Sequence, residues 1–236
     1  STQSFWKKRL AIASLTEKTE GVTGKLKAPA LMISAAPKTR IQKRNTANIL
    51  EAALEVFSAV GYNGATVDSI AQAAKMSKPN LLYYFSSKEA IHVTLLEQLL
   101  DMWLDPLRAL DGDGVPKDEI LAYVQRKLEM SRDMPRESRL FANEVLRGAP
   151  HLSADTKNAL KALVDQKAAV IQGWVDAGQI APVHPYHLIF SIWAQTQHYA
   201  DFDVQVRAVL PEAEARDPFP TAARHLHQMF ERMLAI

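Results

Sequence analysis

The chain has 236 residues, of which 47% are hydrophobic and 23% charged, with no cysteine and a formal net charge of +2. That length supports one large or two small domains with a sizeable core, and the composition is that of an ordinary globular protein. The absence of cysteine excludes a disulfide framework, thiol catalysis and Cys-ligated zinc or iron–sulfur centres. No apolar run approaches the roughly 20 residues that cross a bilayer, so no membrane partner is expected. Lys7, Lys8 and Arg9 interrupt the first apolar stretch, which does not read as a secretion signal, and a cytoplasmic location is the expectation.

The small net charge hides an uneven distribution. Residues 1–44 carry ten Lys/Arg against two Glu, a balance of +8. Residues 45–88 balance at zero, and residues 89–236 hold 15 basic and 21 acidic residues, a balance of −6. A basic end joined to an acidic body suits a polyanion-binding part attached to a part with another task, and a solvated basic tail has the same charge.

Residues 1–37 read as an irregular extension punctuated by Gly21, Gly24, Pro29 and Pro37. Beyond them the apolar spacing is helical. Ile49, Ala52, Ala53, Val56, Phe57 and Val60 share one helix face, and Gly61 ends that helix. Thr66 is suited to cap a short helix over 67–74, Ser77 another over 78–85, and Ser87 begins a fourth. Ile91, Leu95, Leu99 and Trp103 mark a helix over 88–104 that Pro106 bends or ends. Pro116 opens a helix to about residue 132, and a further one spans about 136–147. A long helix runs from the cap Ser153 to 177, where Gly178 closes it, and residues 184–202 and 219–235 supply the last two. No segment alternates with the period of a strand. The expectation is an all-α chain of about nine helices: an extension (1–37), a helix-turn-helix domain (38–87) and a second helical domain (88–236).

Residues 66–85 carry helix-turn-helix logic. Small Ala71 permits close helix approach, Ile70, Ala74, Met76 and Leu81 fill the space between, and Lys75-Met76-Ser77 makes the turn. The third helix is only about two turns long, which suits a major-groove element better than a core element. Phe57 through Gly61, 66–74 and Leu82-Tyr83-Tyr84-Phe85-Ser86-Ser87-Lys88-Glu89-Ala90 resemble the DNA-binding domain of TetR-family regulators over roughly residues 40–92. The resemblance implies double-stranded DNA as a partner, with Lys78, Asn80, Tyr83 or Tyr84 and Lys88 at the DNA, mostly at phosphates, and with Thr66 and Ser77 combining capping with backbone contact. Lys38, Arg40, Lys43 and Arg44 precede the first helix, where the family's arm follows the backbone or enters the minor groove.

The remainder resembles one TetR subgroup, the uracil-binding regulators of pyrimidine utilisation, through 99–107, 138–150 and 188–202. The extension and residues 211–236 depart from that pattern. A flat ring with alternating donors and acceptors calls for aromatic faces and an amide at its edge, in a mostly apolar pocket. Trp193 and Gln197 lie four apart on one helical face, and Trp103 on another helix can close the opposite side. The resemblance implies these three as ligand residues, with uracil or a related pyrimidine as effector. Met102, Phe141, Asn143, Glu144 and His198 are further candidates, and ordinary core packing of the tryptophans remains the alternative.

Leu160, Leu163, Val164, Ile171 and Trp174 form one apolar stripe, and Leu188, Ile192 and Tyr199 another. Two copies of this pair can build an intersubunit four-helix bundle, or each stripe can bury within its own chain. A homodimer fits a roughly palindromic operator. His184 with His187, and His225 with His227, do not assemble a metal-ligand set, and no phosphate-binding loop or nucleophile motif is present. The reading is therefore a regulator and not an enzyme, without metal or cofactor, whose effector weakens operator binding. A different planar or apolar effector, or a ligand-free architectural role, is the alternative.

Overall fold

The computed structural model describes residues 39–236. These form eleven α-helices and no strand: α1 (Arg40–Gly64), α2 (Val67–Ala73), α3 (Lys78–Tyr84), α4 (Lys88–Arg108), α5 (Pro116–Asp133), α6 (Pro135–Leu146), α7 (Ala154–Asp176), α8 (Pro185–Asp201), α9 (Asp203–Val209), α10 (Glu212–Ala215) and α11 (Phe219–Met233). The all-α expectation holds, with two more helices than the nine expected. Both additions, α9 and α10, are too short for a periodic apolar face to announce them. The extension, and Lys38 with it, lies outside the described residues.

Helix starts follow side-chain chemistry. Thr39 and Gln42 form a reciprocal capping box, as do Thr66 and Ser69, and Ser77, Ser87 and Ser153 accept from the backbone N–H three residues on. Gly61 breaks α1 at φ +70°, a conformation that favours glycine, before one further turn reaches Gly64. Pro106 does not end α4, which runs on to Arg108, and that guanidinium donates to the Asp101 carbonyl and to Asp105.

The turn of the helix-turn-helix closes α2 in a Schellman arrangement. Met76 N–H donates to the Ala71 carbonyl at 3.0 Å, and Lys75 N–H to that of Gln72 at 3.0 Å. Lys75 occupies the left-handed position, at φ +55°, where glycine is the usual residue. Asn48 on α1 donates to the Ala74 carbonyl at 2.7 Å and fixes the turn against the first helix.

Two cores result. One gathers Ile49, Phe57, Ile70 and Leu81 from α1–α3 and continues without interruption along α4 through Leu95 and Leu99 to Trp103, meeting Met134 and Leu140. The other collects Tyr123, Ile171, Trp174, Ile189 and Phe230 from α5, α7, α8 and α11. The first core thus crosses the boundary expected at residues 87–88 and joins the helix-turn-helix head to the body. The stripes expected at a subunit interface are largely internal: Val164, Ile171, Trp174, Leu188 and Ile192 are buried in the second core of their own chain. Tyr186 and Phe190 are the large aromatics that α8 leaves exposed.

Candidate nucleic-acid interface and buried polar site

The start of α3 faces outward. Ser77, Lys78 and Asn80 are exposed, and Tyr83 is 71% exposed, so the short helix presents polar donors and one aromatic hydroxyl. Tyr84 is turned the other way: half-buried against the first core, its hydroxyl accepts from Asn45 Nδ2 at 2.7 Å. Of the two tyrosines, Tyr83 is the one free to reach a groove. Lys78 pairs with Asp68 at 2.8 Å, and both side chains are at least half exposed, a contact worth under about 1 kcal/mol that a phosphate can replace. Thr66 is exposed with its side chain engaged in the α2 cap, and Arg40 and Arg44 are exposed on the first turns of α1.

Lys88 is engaged by its own chain. Its Nζ donates to the carbonyls of Tyr62 and Ala65 at 2.8 and 2.9 Å and sits 4.3 Å from the centre of the Tyr62 ring. The ammonium therefore ties the end of α1 to the start of α4 with two of its three N–H groups.

In the body, four side chains form a continuous polar seam. On α5, Tyr123 and Lys127 are four residues apart and share one face. Tyr123 accepts at its hydroxyl from Trp193 Nε1 on α8 at 2.6 Å, and Lys127 Nζ lies 5.2 Å from the centre of the Trp103 ring on α4. Lys127 is 2% exposed, and no hydrogen bond reaches its Nζ among the described residues. Burial pulls its pKa down to about 7, partly offset by Asp201. Burial likewise pushes the Tyr123 hydroxyl up. The Trp103 Nε1–H is buried without an acceptor among the described residues. Gln197, half-buried one turn beyond Trp193, has no hydrogen-bond partner among the described residues. Unpartnered donors in a dry interior cost free energy unless something meets them.

The sequence reading missed Tyr123 and Lys127. The signal was there: Ile120, Val124 and Leu128 define a buried stripe on which both fall, and a lysine on an apolar stripe is rarely buried without purpose. Of the further candidates, Met102 is buried beside Trp103 in the first core, and Phe141 is half-buried on α6. His198 is exposed and stacks on Phe202, with ring centres 5.0 Å apart. Asn143 and Glu144 do not join the tryptophans. They line a separate cleft of about 460 Å³ between α1, α4 and α6, together with Phe57, Tyr62, His92 and three arginines.

In that cleft Glu144 is buried between two histidines. Its Oε2 lies 3.4 Å from His92 Nε2 and 3.1 Å from His151 Nδ1, while Oε1 accepts from the His151 backbone N–H at 2.7 Å. Burial would raise the Glu144 pKa, but the His151 backbone and the two imidazoles reverse it and hold the carboxyl low. Burial pushes His92 down. Among the described residues these three are the group whose donors could share a metal ion, and none of the histidine pairs weighed from sequence belongs to it.

Comparison with known proteins adds three findings. Residues 49–93 match the bacterial regulatory proteins of the tetR family, and residues 96–235 match the C-terminal region of YcdC-like proteins. The HTH-type transcriptional regulator RutR of Escherichia coli (strain K12) is 54% identical over 161 residues, 68% of this chain and 76% of that one. Among solved structures, the putative transcriptional regulator SCO4942 from Streptomyces coelicolor superposes with a TM-score of 0.64 at 25% identity, over 79% of this chain and 96% of that one. AibR in complex with isovaleryl coenzyme A and operator DNA does so with a TM-score of 0.60 at 19% identity, over 78% and 97%, which speaks to the fold alone.

Proposed function

The chain belongs to the TetR family of bacterial transcriptional regulators, and from that premise we propose that uracil or a related pyrimidine, bound beside Trp103, Lys127, Trp193 and Gln197, releases it from operator DNA. It is a DNA-binding regulator and not an enzyme. Regulators of this kind bind operator DNA and small-molecule effectors, usually as dimers.

The observation that carries the pyrimidine reading is the buried, unpartnered polarity between the two tryptophans. Among the described residues the buried Trp103 Nε1 has no acceptor and no hydrogen bond reaches Lys127 Nζ, and the Gln197 amide brings both a donor and an acceptor. A pyrimidine dione offers ring carbonyls to the first two and an N–H beside a C=O to the amide, with the Trp193 indole for a ring face. A wholly apolar effector would leave the same groups unsatisfied. The 54% identity with RutR, and the resemblance to the pyrimidine-utilisation subgroup, supports the same ligand class.

At the DNA, Asn80, Tyr83, Lys78 and Ser77 on α3 are the groups that meet the groove and its phosphates, with Thr66, Arg40, Arg44 and Lys38 on the flanking backbone. The route between the two sites is α4. It begins at Ser87 beside α3, shares one core with the head, and carries Trp103 four turns on. An effector that prefers one position of Trp103 thereby prefers one spacing of the paired heads, and a coupling of about 1–3 kcal/mol suffices to change operator occupancy.

The test is calorimetry of the full chain with uracil, thymine and an aliphatic compound of similar size, alongside operator binding by fluorescence anisotropy. One saturable pyrimidine site per chain, with weaker DNA binding when it is filled, is the expected outcome. Tight binding of the aliphatic compound alone would overturn the ligand class while leaving the regulator intact.

A further inference from the structure

We propose that His92, Glu144 and His151 form a binding site for one zinc-class divalent metal ion at the joint between the DNA-binding head and the body. The three residues come from different segments: His92 from the second turn of α4, Glu144 from near the end of α6, and His151 from the loop leading to α7. The fold brings them together by a specific device. After α6, Gly148 and Ala149 take left-handed conformations, at φ +88° and +52°, and Ala149 N–H donates to the Glu144 carbonyl at 2.9 Å. That turn folds His151 back over the Glu144 side chain.

The geometry suits an ion. Oε1 of Glu144 accepts from the His151 backbone N–H, His151 Nδ1 lies 3.1 Å from both carboxylate oxygens, and Oε2 is the oxygen that His92 Nε2 also approaches, at 3.4 Å. The ligand atoms of all three residues lie within 4.8 Å of one another. Metal–ligand bonds of about 2.0–2.2 Å place neighbouring donors roughly 3.2–3.5 Å apart, so small side-chain rotations complete the set. His92 is 2% exposed and Glu144 4%, and His92 Nδ1 has no hydrogen-bond partner among the described residues. Two imidazoles and one carboxylate select zinc and its first-row neighbours over magnesium or calcium, which need all-oxygen shells.

Access and consequence are both visible. His92 and Glu144 line the 460 Å³ cleft between head and body, so the ion has an entry path and its remaining coordination position opens onto that cleft. The Tyr62 ring, at the end of α1, packs against both imidazoles, with ring centres 4.7 and 4.6 Å away, beneath the Lys88 ammonium. An ion that fixes both histidines therefore fixes the surface on which the head rests. This site is separate from the pyrimidine reading and stands whether or not that reading holds.

The test is a Zn²⁺ titration of the chelator-stripped full chain against a chromogenic chelator, with Co²⁺ absorption to report coordination. The expected result is one equivalent per chain, a four- or five-coordinate Co²⁺ spectrum, and a melting temperature that rises by several degrees with Zn²⁺. Glu144→Gln and His151→Ala, each checked for native helix content by circular dichroism, should weaken binding at least ~100-fold, while the double variant His225→Ala/His227→Ala binds as the parent does. Failure of the parent chain to hold Zn²⁺ at micromolar concentration would overturn the proposal and leave a carboxylate that simply accepts from two imidazoles. Undiminished binding by both Glu144→Gln and His151→Ala would overturn it equally.

Discussion

The ammonium of Lys127 lies 5.2 Å from the centre of the Trp103 ring, inside a protein interior that gives it no hydrogen bond among the described residues. A cation–π contact offsets part of the desolvation cost, but not all of it. The fold therefore maintains a group that weakens it. Such a residue is retained for what it binds more readily than for what it stabilises, and stability and function are expected to separate on substitution.

Lys127→Met tests that separation. It fills similar volume without the charge, so the melting temperature should rise while uracil binding falls at least ~10-fold. The pH dependence follows from the lowered pKa. Between about 7 and the ordinary lysine value near 10.5, the unfolded chain holds a proton that the folded chain has released, so stability increases as pH rises through that window. Chemical denaturation at pH 6.5 and 9.5 checks this: the parent should be more stable at the higher pH, and Lys127→Met should lose most of that difference. A variant that melts lower than its parent and still binds uracil would sink the assignment.

Lys88 separates structure from DNA contact. Replacing it by Gln removes an ammonium that satisfies the carbonyls of Tyr62 and Ala65, at a cost of about 1–3 kcal/mol. A lower melting temperature with an unchanged salt dependence of operator binding is expected. Lys78→Gln should behave oppositely, leaving stability within ~0.5 kcal/mol and reducing the slope of log affinity against log salt by about one. Anisotropy titrations across a salt series read both.

Lys75 marks a second place where the chain departs from its most stable choice. Its φ of +55° in the Schellman turn costs an ordinary side chain on the order of 1 kcal/mol relative to glycine. Lys75→Gly should raise stability by up to that amount in urea denaturation, because the hydrogen bonds of the turn come from backbone groups and from Asn48, none from the Lys75 side chain. An unchanged or lower midpoint would show that the lysine side chain contributes more than its backbone conformation costs.

These sites differ in how far the sequence reveals them, for physical reasons. Helix caps and the helix-turn-helix were legible because they depend on residues three or four apart, and Thr66, Ser77, Ser87 and Ser153 all cap as their spacing implies. The pairing of Trp193 with Tyr123 was not, since it spans 70 residues. Neither was the meeting of His92 with Glu144, which spans 52. Lys88 and Tyr84 were read by residue type, whereas their surroundings decide: two carbonyls face one, and Asn45 faces the other. The apolar stripes of α7 and α8 were identified correctly as apolar, but periodicity does not say whether a face meets its own chain or a second copy.

That last distinction yields a prediction about assembly. With Val164, Ile171 and Leu188 used internally, Phe190 is left 48% exposed on α8, a large aromatic at the surface where a partner helix can pack. Phe190→Glu places a charge on that surface and should convert a dimer into a monomer in analytical ultracentrifugation. Operator binding should then fall ~100-fold or more for a two-half-site duplex but little for an isolated half-site, because the two heads no longer bind as one unit. The Phe190 ring also lies 5.8 Å from that of Trp193, so uracil binding must be measured in the same variant. A dimer that persists with full operator affinity would move the subunit interface elsewhere on the body.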